Sequence, residues 1–276
     1  MEQIFQSILH IAAGVAIAIV LILYPFLYFY QEKLLFFPKP IDPEMRHIIN
    51  HHLPQGEVHL QTPDGITLHG WLARTADREN RSLMIYFGGN AEEISAFMLE
   101  AMQIVNWSIL AFNYRGFGDS GGHPGEKELF ADARSIYDWA VANETIHAQP
   151  VVVMGRSLGS GVAVHLASER PLHGVILITP YDSIRAVAQG IYPYAPVDWL
   201  LKHPFDSLKV APSLTPPLLS LVAPGDNIIP NKHSQRLLEA WGGPKTEKIF
   251  PNTDHNTIAS DPNYWPTIQN FLTTLS

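Results

Sequence analysis

The chain has 276 residues, a formal net charge of −8 at neutral pH, and 16% Asp, Glu, Lys and Arg against a typical ~25%. The acidic balance excludes nucleic acid and anionic surfaces as electrostatically held partners. With no cysteine there is no disulfide framework and no thiolate metal site.

Residues 4–30 read as a transmembrane helix. Positions 11–30 hold no charged side chain, and about 20 apolar residues are what a span requires. Tyr24, Tyr28 and Tyr30 gather toward its end like an interfacial belt, and Lys33 follows. A cleaved signal peptide would carry Lys or Arg ahead of the apolar run and small residues after it. Here residues 1–10 hold neither cation and the run ends in aromatics, so an uncleaved, single-pass anchor is expected. Lys33, Lys39 and Arg46 follow the span and none precedes it, a bias that favours the cytoplasmic side for the remainder.

Residues 31–56 read as a linker, punctuated by Pro38, Pro40, Pro43 and Pro54. His47 and His51 stand at i, i+4, beside His52, but no carboxylate or third ligand has a definite position. A solvated or membrane-proximal helix is the expectation and a metal is not.

From residue 57 to 276 the pattern is that of one domain. EVHLQTPDGITLHGWLA is a hairpin about Pro63-Asp64-Gly65, with alternating apolar residues on either side. Apolar strands then alternate with helical stretches, a rhythm that specifies an α/β fold with a mostly parallel, doubly wound sheet. The strand at 82–87 runs into Gly88-Gly89-Asn90-Ala91, and 92–105 reads as a helix. Glycines there allow a backbone N–H to approach a reacting carbonyl, which makes Asn90 or Gly89 a candidate oxyanion donor; a plain turn is the alternative. In the following YRGFGDS loop, Arg115 and Asp119 suit a buried ion pair or a turn better than a substrate contact.

Residues 151–161, VVVMGRSLGSG, place Gly155-Arg156-Ser157-Leu158-Gly159 directly after a β-branched run and before a helix-compatible stretch. A strand that reverses into a helix within a few residues strains the backbone at the serine and crowds positions two away, so glycine at 155 and 159 relieves it. Ser157 would project from this turn as a nucleophile. The helix beginning at Leu158 would aim a free N–H and its positive dipole end at developing oxyanion charge. A serine needs a general base, and the base needs an acid behind it. Asp226 follows the apolar strand at 218–222, and His255 follows the strand closed by Ile249 and Phe250, each past a strand's carboxyl end. Asp226 could instead cap the helix near Asn231, with Asp254 as the acid; His203 and His233 are the other downstream imidazoles, in or beside predicted helices.

Between 180 and 212 the βα rhythm breaks into a stretch rich in Tyr, Pro and Trp. It reads as a cap of short helices over Ser157, spanning about 181–211, with Ile191, Tyr192, Tyr194, Trp199 and Leu200 facing an apolar cleft. Packing of the cap onto the core is the competing role for these side chains.

FGGNA (87–91), NYRGFGDSGG (113–122), GRSLGSG (155–161), PYDSI (180–184), GDNIIP (225–230) and DHN (254–256) occur in order from about residue 57 to the end. Together they resemble the α/β-hydrolase superfamily, specifically its small membrane-anchored serine hydrolases of the alpha/beta-hydrolase domain-containing group. In that group a histidine often stands where this chain has Gly88. The resemblance implies a sheet with helices on both faces. It also implies a Ser157–His255–Asp226 triad, backbone oxyanion donors at Leu158 and Asn90 or Gly89, and no cofactor. The expected function is hydrolysis of a carboxylic ester or thioester with an apolar acyl group, the partners being a lipid-like substrate and the membrane. A serine peptidase or amide hydrolase is the alternative within enzymes. A catalytically idle anchored interaction module is the alternative outside them.

Overall fold

A computed structural model describes residues 1–75, 82–143, 146 and 148–275. Strands β1 (Glu57–Gln61) and β2 (Thr67–Ala73) pair antiparallel across the expected hairpin. Gly65 takes φ of 85° in its turn, a region glycine enters without penalty. Strands β3 (Leu83–Phe87), β4 (Ser108–Phe112), β5 (Val151–Arg156), β6 (Gly174–Ile178), β7 (Leu218–Val222) and β8 (Lys245–Ile249) are mutually parallel. Strand β2 joins them antiparallel to β4, giving one eight-stranded sheet of order β1-β2-β4-β3-β5-β6-β7-β8.

The helices are α1 (Glu2–Ala18), α2 (Tyr24–Leu35), α3 (Pro43–His52), α4 (Ser95–Ala101), α5 (Glu126–Ala142), α6 (Leu158–Glu169), α7 (Ile184–Ile191), α8 (Val197–Leu200), α9 (Asn231–Ala240) and α10 (Tyr264–Thr273). Strands β3 to β7 are buried along their length, with the half-buried Arg156 at the end of β5 as the exception, as a sheet covered on both faces requires. Alternate residues sort the core into two layers. Leu83, Ile85, Phe87, Val151, Val153 and Leu177 pack with α5 and α6 through Leu129, Ile136, Val162 and Leu166. Met84, Tyr86, Val152, Met154, Ile176 and Ile178 pack with α4 and α10 through Phe97, Met98, Ile268 and Leu272. The fold is the expected α/β-hydrolase architecture.

Two element boundaries differ from expectation. The helix read over 92–105 is confined to Ser95–Ala101, because Glu92 and Glu93 bond elsewhere: Glu93 accepts from Ser95 N and from Asn113 Nδ2. The apolar helix ends at Leu35 rather than at residue 30, inside the 31–56 stretch, whose helix around the histidines was expected. The first residues of that stretch complete α2, and α3 is capped by Asp42, which accepts from Glu44 N and Met45 N.

Helices α1 and α2 are joined through a π-helical stretch, Ile19–Leu23, into one continuous helix, Glu2–Leu35. Among the described residues it is the one helix long and apolar enough to cross a membrane. Tyr24, Leu27, Gln31 and Leu35 are less exposed than their neighbours, and their i, i+3, i+7, i+11 spacing defines one face. That face meets the cap. Tyr24 Oη donates to Tyr194 O at 3.3 Å, Gln31 Nε2 donates to Leu200 O at 2.9 Å, and Lys202 N donates back to Gln31 Oε1 at 2.7 Å.

Candidate active site

Ser157 sits between β5 and α6 with φ 50° and ψ −116°, a conformation that costs a non-glycine residue about 1–3 kcal/mol. The surroundings enforce it. A Cβ on Gly155 would overlap the Gly159 carbonyl, and one on Gly159 would overlap the Phe87 carbonyl, so the strand, the helix and β3 approach this closely only with glycine at both positions. Ser157 N donates to Ile178 O at 3.0 Å, and Tyr181 Oη donates to Leu158 O at 3.0 Å, fastening the turn to β6 and the loop after it.

Ser157 and Asp226, 98 and 29 residues before His255 in the chain, meet it over the carboxyl ends of β5, β7 and β8. Ser157 Oγ lies 2.9 Å from His255 Nε2, and His255 Nδ1 lies 2.7 Å from Asp226 Oδ2. A carboxylate can only accept, so Nδ1 carries the proton and Nε2 is left to receive one from the serine. Asp226 Oδ1 accepts from Ile228 N at 2.9 Å and Ile229 N at 2.7 Å, which fixes the carboxylate plane. All three side chains are buried.

The rivals are engaged elsewhere. Asp254 Oδ1 accepts from Asn256 N, Thr257 N and Thr257 Oγ1, bonds that hold its carboxyl below the usual carboxylate range. His233 pairs through Nδ1 with buried Asp182 at 2.8 Å. His203 Nδ1 accepts from Glu126 N at 3.2 Å at the start of α5.

Asn90 and Leu158 flank Ser157 in the cavity wall. Gly89, the other candidate donor, is committed elsewhere: its N–H donates to Glu92 Oε2 at 2.8 Å. Glu92 is the centre of a network that no motif announced. Its Oε2 also accepts from Arg156 at 3.1 Å and its Oε1 from the buried Tyr86 hydroxyl at 2.7 Å, while Arg156 reaches His255 O at 3.3 Å. Burial opposes the Arg156 charge, but Glu92 and Tyr86 outweigh it and raise the guanidinium's pKa; burial drives the Tyr86 phenol well above its usual value. The loop at Gly88 is tied as well, since Tyr114 Oη donates to Gly88 O at 2.9 Å.

A cavity of about 290 Å³ opens onto Ser157. Ile184, Val187, Ile191 and Tyr192 of the cap line it, and so do Leu27, Gln31, Leu34 and Leu35 of α2. None of its lining residues is Asp, Glu, Lys or Arg. Tyr194 and Trp199, expected in the cleft, lie outside it at 95% and 87% exposure. The cap turns them outward because the α2 helix already occupies the side of the cleft they would have covered. The helix wall was not foreseen, because Tyr24, Leu27 and Leu35 stand among equally apolar neighbours and only their burial in the fold marks one face.

Arg115 spans Asp64 and Asp132 with two bonds to each, the ion-pair role expected, and Asp119 pairs with Arg46. His47, His51 and His52 are exposed on α3. Glu57, His59 and His69 bring ligand atoms within 4.8 Å of one another on β1 and β2, and Glu57 Oε1 is shared between Arg46 at 3.3 Å and His69 Nε2 at 2.8 Å.

An eight-stranded α/β sheet with a tight strand-to-helix turn at Ser157 after β5 is the architecture of an α/β-hydrolase. The family model described as serine aminopeptidase, S33, matches residues 78–215, and the chain belongs to this family of serine hydrolases. It is 30% identical over 259 residues to an uncharacterized membrane protein of Saccharomyces cerevisiae, covering 89% of this chain and 90% of that one. It is 30% identical over 224 residues to the lysophosphatidylserine lipase ABHD12 of Mus musculus, covering 70% of this chain and 56% of the mouse protein. The esterase Pf2001 of Pyrococcus furiosus superposes with a TM-score of 0.66 at 20% identity, over 87% of this chain and 99% of that one.

Proposed function

We propose that the chain is a single-pass, membrane-anchored hydrolase that cleaves a carboxylic ester or thioester with an apolar acyl group through an acyl-enzyme. The observation that carries this reading is the unbroken path Asp226–His255–Ser157, at 2.7 and 2.9 Å, that ends at Ser157 in the lining of an uncharged cavity. Ser157 Oγ attacks the substrate carbonyl as His255 Nε2 takes its proton. The tetrahedral oxyanion is met by the backbone N–H groups of Leu158 and Asn90, with the N-terminal end of α6 behind the first. His255 then returns the proton to the leaving group. Water, deprotonated by the same nitrogen, releases the acid. No cofactor enters this sequence.

The names of a mouse lipase and an archaeal esterase support an ester substrate. The family description speaks for a second reading, an aminopeptidase. Such an enzyme must hold an α-ammonium group, and an ammonium buried without a partner is costly. The cavity lining offers no carboxylate for it, which favours the ester. Lys33, Lys39 and Arg46, all past the span, support a cytoplasmic hydrolase domain.

Stoichiometric labelling of the full chain by a fluorophosphonate, abolished in Ser157→Ala, tests the nucleophile. Profiling of p-nitrophenyl esters of increasing chain length against aminoacyl p-nitroanilides tests the substrate class. Esters of medium or long chain are expected to lead; faster turnover of the anilides, or of acetate over all longer esters, would overturn the assignment.

A further inference from the structure

The two large aromatics that the cavity does not use, Tyr194 and Trp199, are among the most exposed side chains in the catalytic domain. With Ile191 and Tyr192 they expose four large apolar side chains on one nine-residue cap segment, and an exposed apolar patch marks a partner or a membrane surface. Their depth along the anchor identifies which. Tyr24 Oη reaches Tyr194 O, and Tyr24 precedes Tyr30, the last residue of the apolar run, by six residues. At ~1.5 Å per residue this sets the cap tip about 9 Å inside the apolar part of the helix. Gln31 is level with Leu200 and Lys202, at the other end of the same segment. The cap between 192 and 202 therefore runs alongside the last two turns of the span.

The cations mark where that slope emerges. Lys202 Nζ lies 4.6 Å from the Tyr28 ring centroid, and Lys33 Nζ lies 5.4 Å from that of Tyr30. Both are placed to carry their charge to the headgroup level while their stems follow the aromatic surface.

The cavity ends on this same face. Ile191 and Tyr192 line it and are also 62% and 45% exposed, and opposite them stands Leu27, within the uncharged run. Its inner end is Ser157, and its outer end is the seam between α2 and the cap, below the level of Tyr30.

We propose that the cap is seated in the bilayer leaflet around its own anchor helix, with Tyr194 and Trp199 in the interface, and that the cavity mouth opens sideways into that leaflet. An acyl chain then passes from the lipid phase between Leu27 and Ile191 to Ser157 without crossing water. This rests on the reading of the chain as a membrane-anchored hydrolase, and adds to it the surface and the route.

The full chain reconstituted in phosphatidylcholine vesicles tests both parts. Trp199 is the one exposed indole; Trp71, Trp107, Trp241 and Trp265 are buried and Trp139 is half-buried. Lipid brominated near the glycerol end of its acyl chains is expected to quench the wild-type emission, with roughly half or more of that quenching lost in Trp199→Phe, as an indole seated at the headgroup boundary requires. Equal quenching in the two proteins, or none in either, overturns insertion of the cap. For the route, the Tyr194→Ala/Trp199→Ala double variant should hydrolyse a vesicle-embedded long-chain monoacyl ester at least ~10-fold more slowly, while water-soluble p-nitrophenyl butyrate stays within about twofold. Loss on both substrates alike, or on neither, overturns lateral entry. Failure of the hydrolase reading looks different: the wild type in the same vesicles then takes no fluorophosphonate and turns over neither ester, and the quenching result still decides insertion of the cap.

Discussion

Replacing Glu92 with alanine isolates what holds the loop beside Ser157. The change removes three bonds at once: from the Gly89 N–H at 2.8 Å, from the Tyr86 hydroxyl at 2.7 Å and from Arg156 at 3.1 Å. Leaving a buried hydroxyl unpaired costs about 1–3 kcal/mol. Removing one partner of a fully buried ion pair costs about 3–5 kcal/mol. The Arg156 side chain keeps 26% of its surface in water and retains the His255 carbonyl, so the upper figures do not apply. A total near 3 kcal/mol is expected, equivalent to roughly 6–12 °C in Tm for a domain of this size. Glu92→Gln keeps one acceptor and loses the charge, and should fall about halfway. Glu92 is absent from the cavity lining, so substrate binding should hold while the oxyanion donor proposed at Asn90 drifts. Complete loss of one such donor costs about 10²–10³ in kcat, and a displaced one is expected to cost roughly 10–100-fold. The assay is thermal unfolding of the full chain in detergent together with kcat and KM for p-nitrophenyl butyrate. A Tm within about 2 °C of wild type with kcat within twofold would refute the reasoning, as would a rise in KM at unchanged kcat.

Asp226→Asn should leave the fold intact but present the wrong imidazole tautomer to Ser157, lowering kcat by roughly 10⁴ with little change in KM; a loss under tenfold would remove Asp226 from the relay. Arg115→Met leaves Asp132 buried without its cation, at a cost of about 3–5 kcal/mol in chemical unfolding at neutral pH. Burial pushes the Asp132 carboxyl up even beside Arg115, so without the guanidinium it rises further. A folded pKa above the unfolded ~3.9 stabilises at low pH and loses that contribution as pH rises through it. The deficit of the variant should therefore be smaller at pH 5 than at pH 8. Arg115 also holds the Asp64 carboxyl well below the usual range, a contribution present above about pH 4 that the variant lacks throughout. A deficit that grows on acidification from pH 8 to pH 5 would contradict this account.

Much of the site was legible because its causes are local. Val151 to Val153 must be strand, a reversal must follow, and only glycine at 155 and 159 tolerates the approach of the Phe87 and Gly159 carbonyls. The order of serine, acid and histidine past successive strand ends needed no coordinates either, since a parallel sheet lines up those ends by topology. Other features depend on which groups compete for one another in space. Gly89 and Asn90 are equivalent as letters, and a carboxylate three residues on takes the Gly89 N–H for itself. Arg156, one of the two variable residues of the pentapeptide, meets Glu92 across 64 positions of sequence.

The sequence by itself determined the α/β sheet, the serine turn, the positions of Asp226 and His255 and the presence of an apolar helix at the amino end. These are matters of period, sterics and strand order, which act over a few residues or repeat along the chain. The tertiary structure decided which way the cap faces. It gave one wall of the cleft to Leu27, Gln31, Leu34 and Leu35 and turned Tyr194 and Trp199 outward, because a helix and a cap distant in sequence fill the same space and only one can line each wall.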